Sequence, residues 1–132
     1  MAPTASVLTR SSSSLVDEIR LGIPTSTLEH LATVLGVRVE DLASTVRIPA
    51  RTLARRRQSG TMSMDESERI VRVARMIDAA TAALGSLDAA RIWLNAQNVG
   101  LANVTPMSLL DTEVGGEMVR NLLGQIEHGV FA

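Results

Sequence analysis

From Leu15 onward the apolar residues follow helical spacing, and no stretch of useful length alternates with the period of two that a half-buried strand requires. Leu15 and Ile19, with Leu21 beside them, mark a short amphipathic helix ended by Gly22 and Pro24. Thr25 or Ser26 then caps a second helix, whose Leu28, Leu31, Ala32 and Leu35 keep the i, i+3, i+4, i+7 rule until Gly36. Leu42, Ala43, Val46, Ile48 and Leu53 have the spacing of two short crossed helices. Small Ala43 sits at their close approach, Pro49 in the first turn of the second helix, and Gly60 after its end. Ser63 and Glu66 form a capping box for a long helix. Its buried stripe is Ile70, Val73, Ala74, Ile77, Ala80, Thr81 and Leu84, its wetter faces carry Arg69, Arg72, Arg75 and Asp78, and Gly85 stops it. Ser86 caps a helix through Ala90, Trp93 and Leu94 that ends before Gly100, and Thr105-Pro106 opens a turn or two of helix to Leu110. Thr112-Glu113 starts the last helix, where Val114, Met118, Leu122 and Ile126 lie along one line, Val119 and Leu123 widen it, and Gly129 ends it. The pattern predicts an all-α fold.

Composition narrows what such a fold can do. At 132 residues with 45% hydrophobic content, the chain is one ordinary domain or two very small ones with a packed core. Trp93 and Phe131 are its only aromatics, so the core is built from aliphatic residues, with Met62, Met64 and Met76 as gap fillers and Trp93 as a core residue. The absence of cysteine excludes disulfides, a thiolate nucleophile and cysteine-ligated zinc. His30 reads as a surface helix residue far from His128, so neither metal nor cofactor is expected. No nucleophile–base pair stands out, and Asp65, Glu66 and Glu68 are accounted for by helix-start electrostatics, so no catalytic site is expected. No apolar run approaches the roughly 20 residues that span a bilayer, and no secretory stretch opens the chain, so a cytoplasmic protein is expected. Residues 1–14, with serine at positions 11 to 14, read as a disordered tail.

All 13 basic residues are arginine, which suits planar bidentate recognition of phosphate, guanine or carboxylate; codon usage in a GC-rich genome accounts for it equally well. Residues 1–60 hold 8 Arg against 5 acids, and residues 61–132 hold 5 Arg against 9, so the two halves differ by sign. The segment from Arg47 to Arg57 contains no acid. On a helical wheel centred at Arg51, Arg55 lies about 40° and Gln58 about 20° away, while Leu53 lies about 160° off. A recognition helix needs that division. Leu53 anchors it, Arg51, Arg55 and Gln58, with Thr52 beside them, reach base edges, and Arg47 and Arg56 take phosphates. Arg57 lies nearer the Leu53 side, where an acid such as Asp41 is a candidate partner. The competing reading of the same arginines is a solvated face. The window from Val39 to Arg56 resembles helix-turn-helix proteins at Leu42, Ala43, Val46, Ile48 and Leu53. It departs from them at Arg47, where the turn usually has Gly, and at Arg56, a late apolar place.

From Trp93 on, the chain resembles the toxin-binding domain of Xre/MbcA/ParS-type antitoxins. The residues that carry the likeness are Trp93-Leu94, Leu101, Thr105-Pro106, Leu109-Leu110, Thr112-Glu113, Gly115, Val119, Ile126 and Gly129, in family order and spacing. The likeness extends upstream through the helix-turn-helix. It implies a type II antitoxin whose partner is a RES-domain toxin, similar in fold to ADP-ribosyltransferases and acting on NAD. It further implies that the C-terminal helix and tail block the toxin's active-site entrance, and that the chain binds operator DNA to repress its own operon. On this chain the toxin-binding residues implied are Leu122, Gln125, Ile126, Glu127, His128, Gly129, Val130 and Phe131. The bland reading of Val130 and Phe131 is a contact sealing the last helix. The organisation expected is a tail at 1–14, a helix-turn-helix DNA-binding region at 15–62 and a helical toxin-binding domain at 63–132. A homodimer is expected because a short reading helix usually needs a second copy. The alternative is a stand-alone helix-turn-helix regulator with a C-terminal dimerisation module, and a toxin gene beside this one discriminates the two.

Overall fold

The computed structural model describes residues 11–129. Its helices are α1 Ser12–Leu21, α2 Thr25–Leu35, α3 Val39–Thr45, α4 Ala50–Ser59, α5 Met64–Leu84, α6 Leu87–Leu94 and α7 Glu113–Glu127. Single 3-10 turns at Val99–Leu101 and Met107–Leu109 lie between the last two. Among the described residues there is no strand, only the isolated bridges Pro24 to Thr61 and Asn98 to Val104. The fold is an N-terminal helix-turn-helix bundle followed by a C-terminal helical module.

Local chemistry explains the helix ends. Ser63 accepts a hydrogen bond from the Glu66 amide and Glu66 returns one from the Ser63 amide, so both halves of the capping box form. Ser86 and Thr112 cap α6 and α7 through the amides three residues on. Two starts differ from expectation. Ser11 accepts from the Ser14 amide, so α1 begins at Ser12 and absorbs the end of the serine run; residues 1–10 of the expected tail lie outside the described residues. Pro24 takes the N-cap of α2, which makes Thr25 its first helical residue and frees its hydroxyl for another use. That hydroxyl donates to the Arg56 carbonyl at 3.0 Å, tying α2 to the last turn of α4. The Thr25 amide also donates to Gly60 O, and the Met62 amide to Ile23 O. The link between α1 and α2 therefore lies against the link between α4 and α5. Gly22, at φ +96°, is required here, because a Cβ would fall on the Met62 carbonyl.

One continuous core runs through the molecule. Leu28, Leu31, Leu35, Leu42, Val46, Ile48 and Leu53 fill its N-terminal part, and Ala90, Leu94, Leu110, Val119 and Leu123 its C-terminal part. The 21-residue α5, about 30 Å long, joins them through buried Ile70, Val73, Ala74, Met76, Ile77 and Ala80. It packs against α1, α6 and α7. Trp93 is half-buried against this core. Three expected placements are corrected. Met64 is exposed, being the first residue of α5, where the helix clears the core. Asp78, assigned to a wetter face, is buried, and Arg69 and Arg72 are half-buried because their guanidinium groups reach backbone carbonyls of neighbouring elements. In α7, Val114 and Met118 stand exposed while Gly115, Gly116, Val119 and Leu123 face inward. The cause is Gly115: a Cβ there would fall on the Leu109 carbonyl, so only glycine lets the start of α7 lie flat on the 3-10 turn. That contact rotates Val114 and Met118 outward.

Candidate functional site

The turn between α3 and α4 is closed by two backbone bonds, Arg47 N to Ser44 O at 3.1 Å and Ile48 N to Ala43 O at 2.8 Å. This is the Schellman arrangement, in which the residue after the helix adopts a left-handed conformation, usually as glycine. Here it is Arg47, at φ +62°. The place where the sequence departs from the helix-turn-helix pattern is thus the place where the backbone is strained. Pro49 supplies the N-cap of α4, Leu53 anchors the helix at 2% exposure, and Gly60 ends it in the left-handed region.

The arginines of this segment divide by environment. Arg51, Arg55 and Gln58 are exposed on one side of α4, with Thr52 half-buried beside them, and among the described residues neither Arg51 nor Arg55 has an acid within ion-pair distance. Arg56 turns inward and grips Glu66 with two bonds, Nε to Oε1 at 2.7 Å and Nη2 to Oε2 at 3.1 Å. Arg56, an expected phosphate ligand, lies against Glu66 because the late apolar place of the second helix faces the start of α5. Burial pushes the Glu66 carboxyl up, but the hydrogen bonds from Arg56 and Ser63 and the Arg56 charge outweigh it and hold the group below the ordinary carboxylate range. The Glu66 hydrogen bond in turn holds Arg56 more firmly protonated. Arg57 pairs with Glu29 at 3.3 Å and more distantly with Glu40 at 3.9 Å rather than with Asp41. Arg47, the other expected phosphate ligand, places its Nε 2.7 Å from Asp111 Oδ2.

At the other end of the molecule, Leu122 is half-buried, and a Cβ on Gly100 would lie 3.3 Å from it, so the Val99–Leu101 turn rests on α7 there. Gln125, Glu127, His128 and Gly129 are exposed and Ile126 is half-buried. His128 closes α7 by donating its amide to Gly124 O at 3.1 Å, and Gly129 follows in the left-handed region at φ +68°. The expected contacts Val130 and Phe131 lie outside the described residues. Val99, Val114 and Met118 add exposed apolar surface to this module that the sequence pattern had assigned to a buried line or passed over. Among the described residues no group of three or more His, Cys, Asp or Glu side chains comes together to hold a metal, and no helix is long and apolar enough to cross a membrane.

Two family models match in tandem. Residues 14–75 match the antitoxin Xre-like helix-turn-helix domain, and residues 79–129 match the antitoxin Xre/MbcA/ParS C-terminal toxin-binding domain. Over 120 residues the chain is 36% identical to Antitoxin Xre of Yersinia enterocolitica, covering 89% of this chain and 81% of that protein. The chain belongs to the Xre antitoxin family. It is also 36% identical to Antitoxin Xre of Photorhabdus laumondii, over 84% of this chain and 76% of that relative. A third relative, Antitoxin Xre of Pseudomonas putida, is 35% identical over 62% of this chain and 52% of its own length. The two matched segments meet inside α5, between residues 75 and 79, where the helix passes from one half of the core to the other.

Proposed function

We propose that this protein is an antitoxin that binds and silences a RES-domain, NAD-using toxin and, through α4, binds operator DNA to repress its own operon. The observation that carries the reading is one chain holding both an exposed Arg51, Arg55 and Gln58 face on a helix-turn-helix and a segment that matches a toxin-binding domain. Arg51, Arg55 and Gln58 read base edges, with Thr52 beside them, and Arg47 takes a phosphate. Arg56 serves the fold through Glu66.

The toxin docks on the end of α7, at Leu122, Gln125, Ile126, Glu127 and His128, and on the segment from Gly129 through Val130 and Phe131, which closes the toxin's active-site entrance. The exposed apolar residues Val99, Val114 and Met118 widen that surface toward the start of α7. The helix-turn-helix region works as a dimer, one copy to each half-site, in the bacterial cytoplasm, and the chain acts by binding rather than by catalysis.

Co-expression with the neighbouring gene tests this. Growth arrest and loss of cellular NAD caused by that gene alone, relieved when this chain is present, is the expected result. A neighbouring product that neither depletes NAD nor binds this chain would leave the stand-alone regulator.

A further inference from the structure

Among the helix-turn-helix arginines that meet carboxylates, Arg56 and Arg47 form pairs that differ in kind. Arg56 and Glu66 make two hydrogen bonds, and their side chains are only 28% and 9% exposed. Arg47 and Asp111 make one, at 2.7 Å, and the Arg47 side chain is 73% exposed while that of Asp111 is 18% exposed. The first pair is closed on both sides. The second leaves most of a guanidinium facing solvent, with four of its five N–H donors outside the pair.

The pair also joins the two matched segments, because Arg47 and Asp111 are 64 residues apart in the chain. Both backbones are held. Arg47 is fixed by its turn bonds, and Asp111 lies between Leu110, whose carbonyl accepts from Arg72, and Thr112, the N-cap of α7. Arg47 also precedes the N-cap of α4 by two residues, at the end of the helix that approaches base edges and the flanking backbone. A carboxylate and a phosphate offer a guanidinium the same charged, forked acceptor.

Resting on the DNA-binding reading above, we infer that Asp111 is an internal stand-in for a DNA phosphate: it holds Arg47 in the free protein and competes with the DNA backbone for it. The C-terminal module thereby lowers the affinity of the helix-turn-helix for any duplex, whatever its sequence. A phosphate that takes Arg47 must leave a largely covered carboxylate without its cation. Arg51 and Arg55, which have no acid at ion-pair distance among the described residues, give up no such pair.

Fluorescence anisotropy with a labelled duplex of mixed sequence tests this, since a phosphate contact needs no operator. Asp111→Asn should tighten binding roughly two- to fivefold, as suits an exposed pair, and should change nothing in an Arg47→Ala background. An equal gain in both backgrounds marks a general effect of removing negative charge and overturns the inference, as does no gain in either. If Arg51→Ala and Arg55→Ala weaken binding while Asp111→Asn leaves it unchanged, this inference alone fails. If the protein binds no duplex at all, the DNA-binding reading fails and takes this one with it. Should the Asn variant fold poorly, NMR of the unmutated protein decides. On titration with duplex, the Arg47 Nε–H and Asp111 carboxyl carbon resonances must shift together, and an unmoved carboxyl overturns the competition.

Discussion

Arg69 Nε donates to the Val46 carbonyl oxygen at 2.6 Å, so a side chain of α5 closes the C-terminal end of α3 from 23 residues away. Three residues on, Arg72 Nη1 donates to the Leu110 carbonyl at 3.1 Å. The residues just before Arg47 and just before Asp111 are therefore held by the same helix, which is why an exposed ion pair between two loops has defined geometry.

Arg69→Met keeps most of the stem and removes the donor, leaving a fully buried Val46 with an unfilled carbonyl. The expected loss is about 1–3 kcal/mol of stability. Urea unfolding should show a lower midpoint with an unchanged slope. An unchanged midpoint would mean that water serves the carbonyl equally well.

Glu66 makes stability depend on pH in a defined direction. Its folded carboxyl titrates below the unfolded value of about 4.3, so the stabilisation is complete above that value and disappears as pH falls through the folded one. Glu66→Gln should melt lower than the unmutated protein at neutral pH, with the gap closing in acid below about pH 4. Scanning calorimetry across that range measures it. A gap independent of pH would show that Glu66 acts by packing alone.

Arg51→Ala or Arg55→Ala should each weaken operator binding by about 1–3 kcal/mol and relax base preference. Arg56→Ala should instead lower the melting temperature, because it breaks the Glu66 clamp. Anisotropy beside thermal melts separates these outcomes. An Arg51/Arg55 double variant that folds and binds its operator normally would remove α4 from the DNA interface.

Gly115→Ala places a methyl group on the Leu109 carbonyl and should cost roughly 1–3 kcal/mol. Gly124→Ala in the same helix meets no atom within 4 Å and should be neutral or stabilising by up to about 1 kcal/mol. Toxin inhibition should fall with the first substitution and persist with the second. Equal melting temperatures for the two variants would contradict the close approach.

Val130 to Ala132 follow α7, which ends at Glu127, so their removal takes away no residue of that helix. Removing Val130 to Ala132 should accordingly leave the melting temperature nearly unchanged. Inhibition of NAD consumption by the toxin should drop sharply, since burying one valine and one phenylalanine contributes on the order of 3–6 kcal/mol. A truncated chain that inhibits as well as the intact one would move the inhibitory contact elsewhere on the module.

The sequence by itself determined the all-helical class, the glycine stops, the caps at Ser63, Ser86 and Thr112, and the exposed face of α4. These depend on residues within one or two turns of each other. A capping box, a glycine stop or an apolar stripe acts over three to seven positions, and the arrangement at Ser63, Gly85 or Leu53 is readable wherever the chain goes next. Only the tertiary structure decided which arginines are free. Arg51 and Arg56 look alike in sequence, yet one faces solvent and the other clamps Glu66, because the end of α4 lies against the start of α5. Thr25 looked like a cap and became a tie to Arg56 once Pro24 took its place. Asp111 carried no local signal at all, since its partner is 64 residues away. The physical reason is range: helix propensity and capping are settled between neighbours in the chain, whereas the partner of a charged side chain is settled by which backbones the packed core brings together.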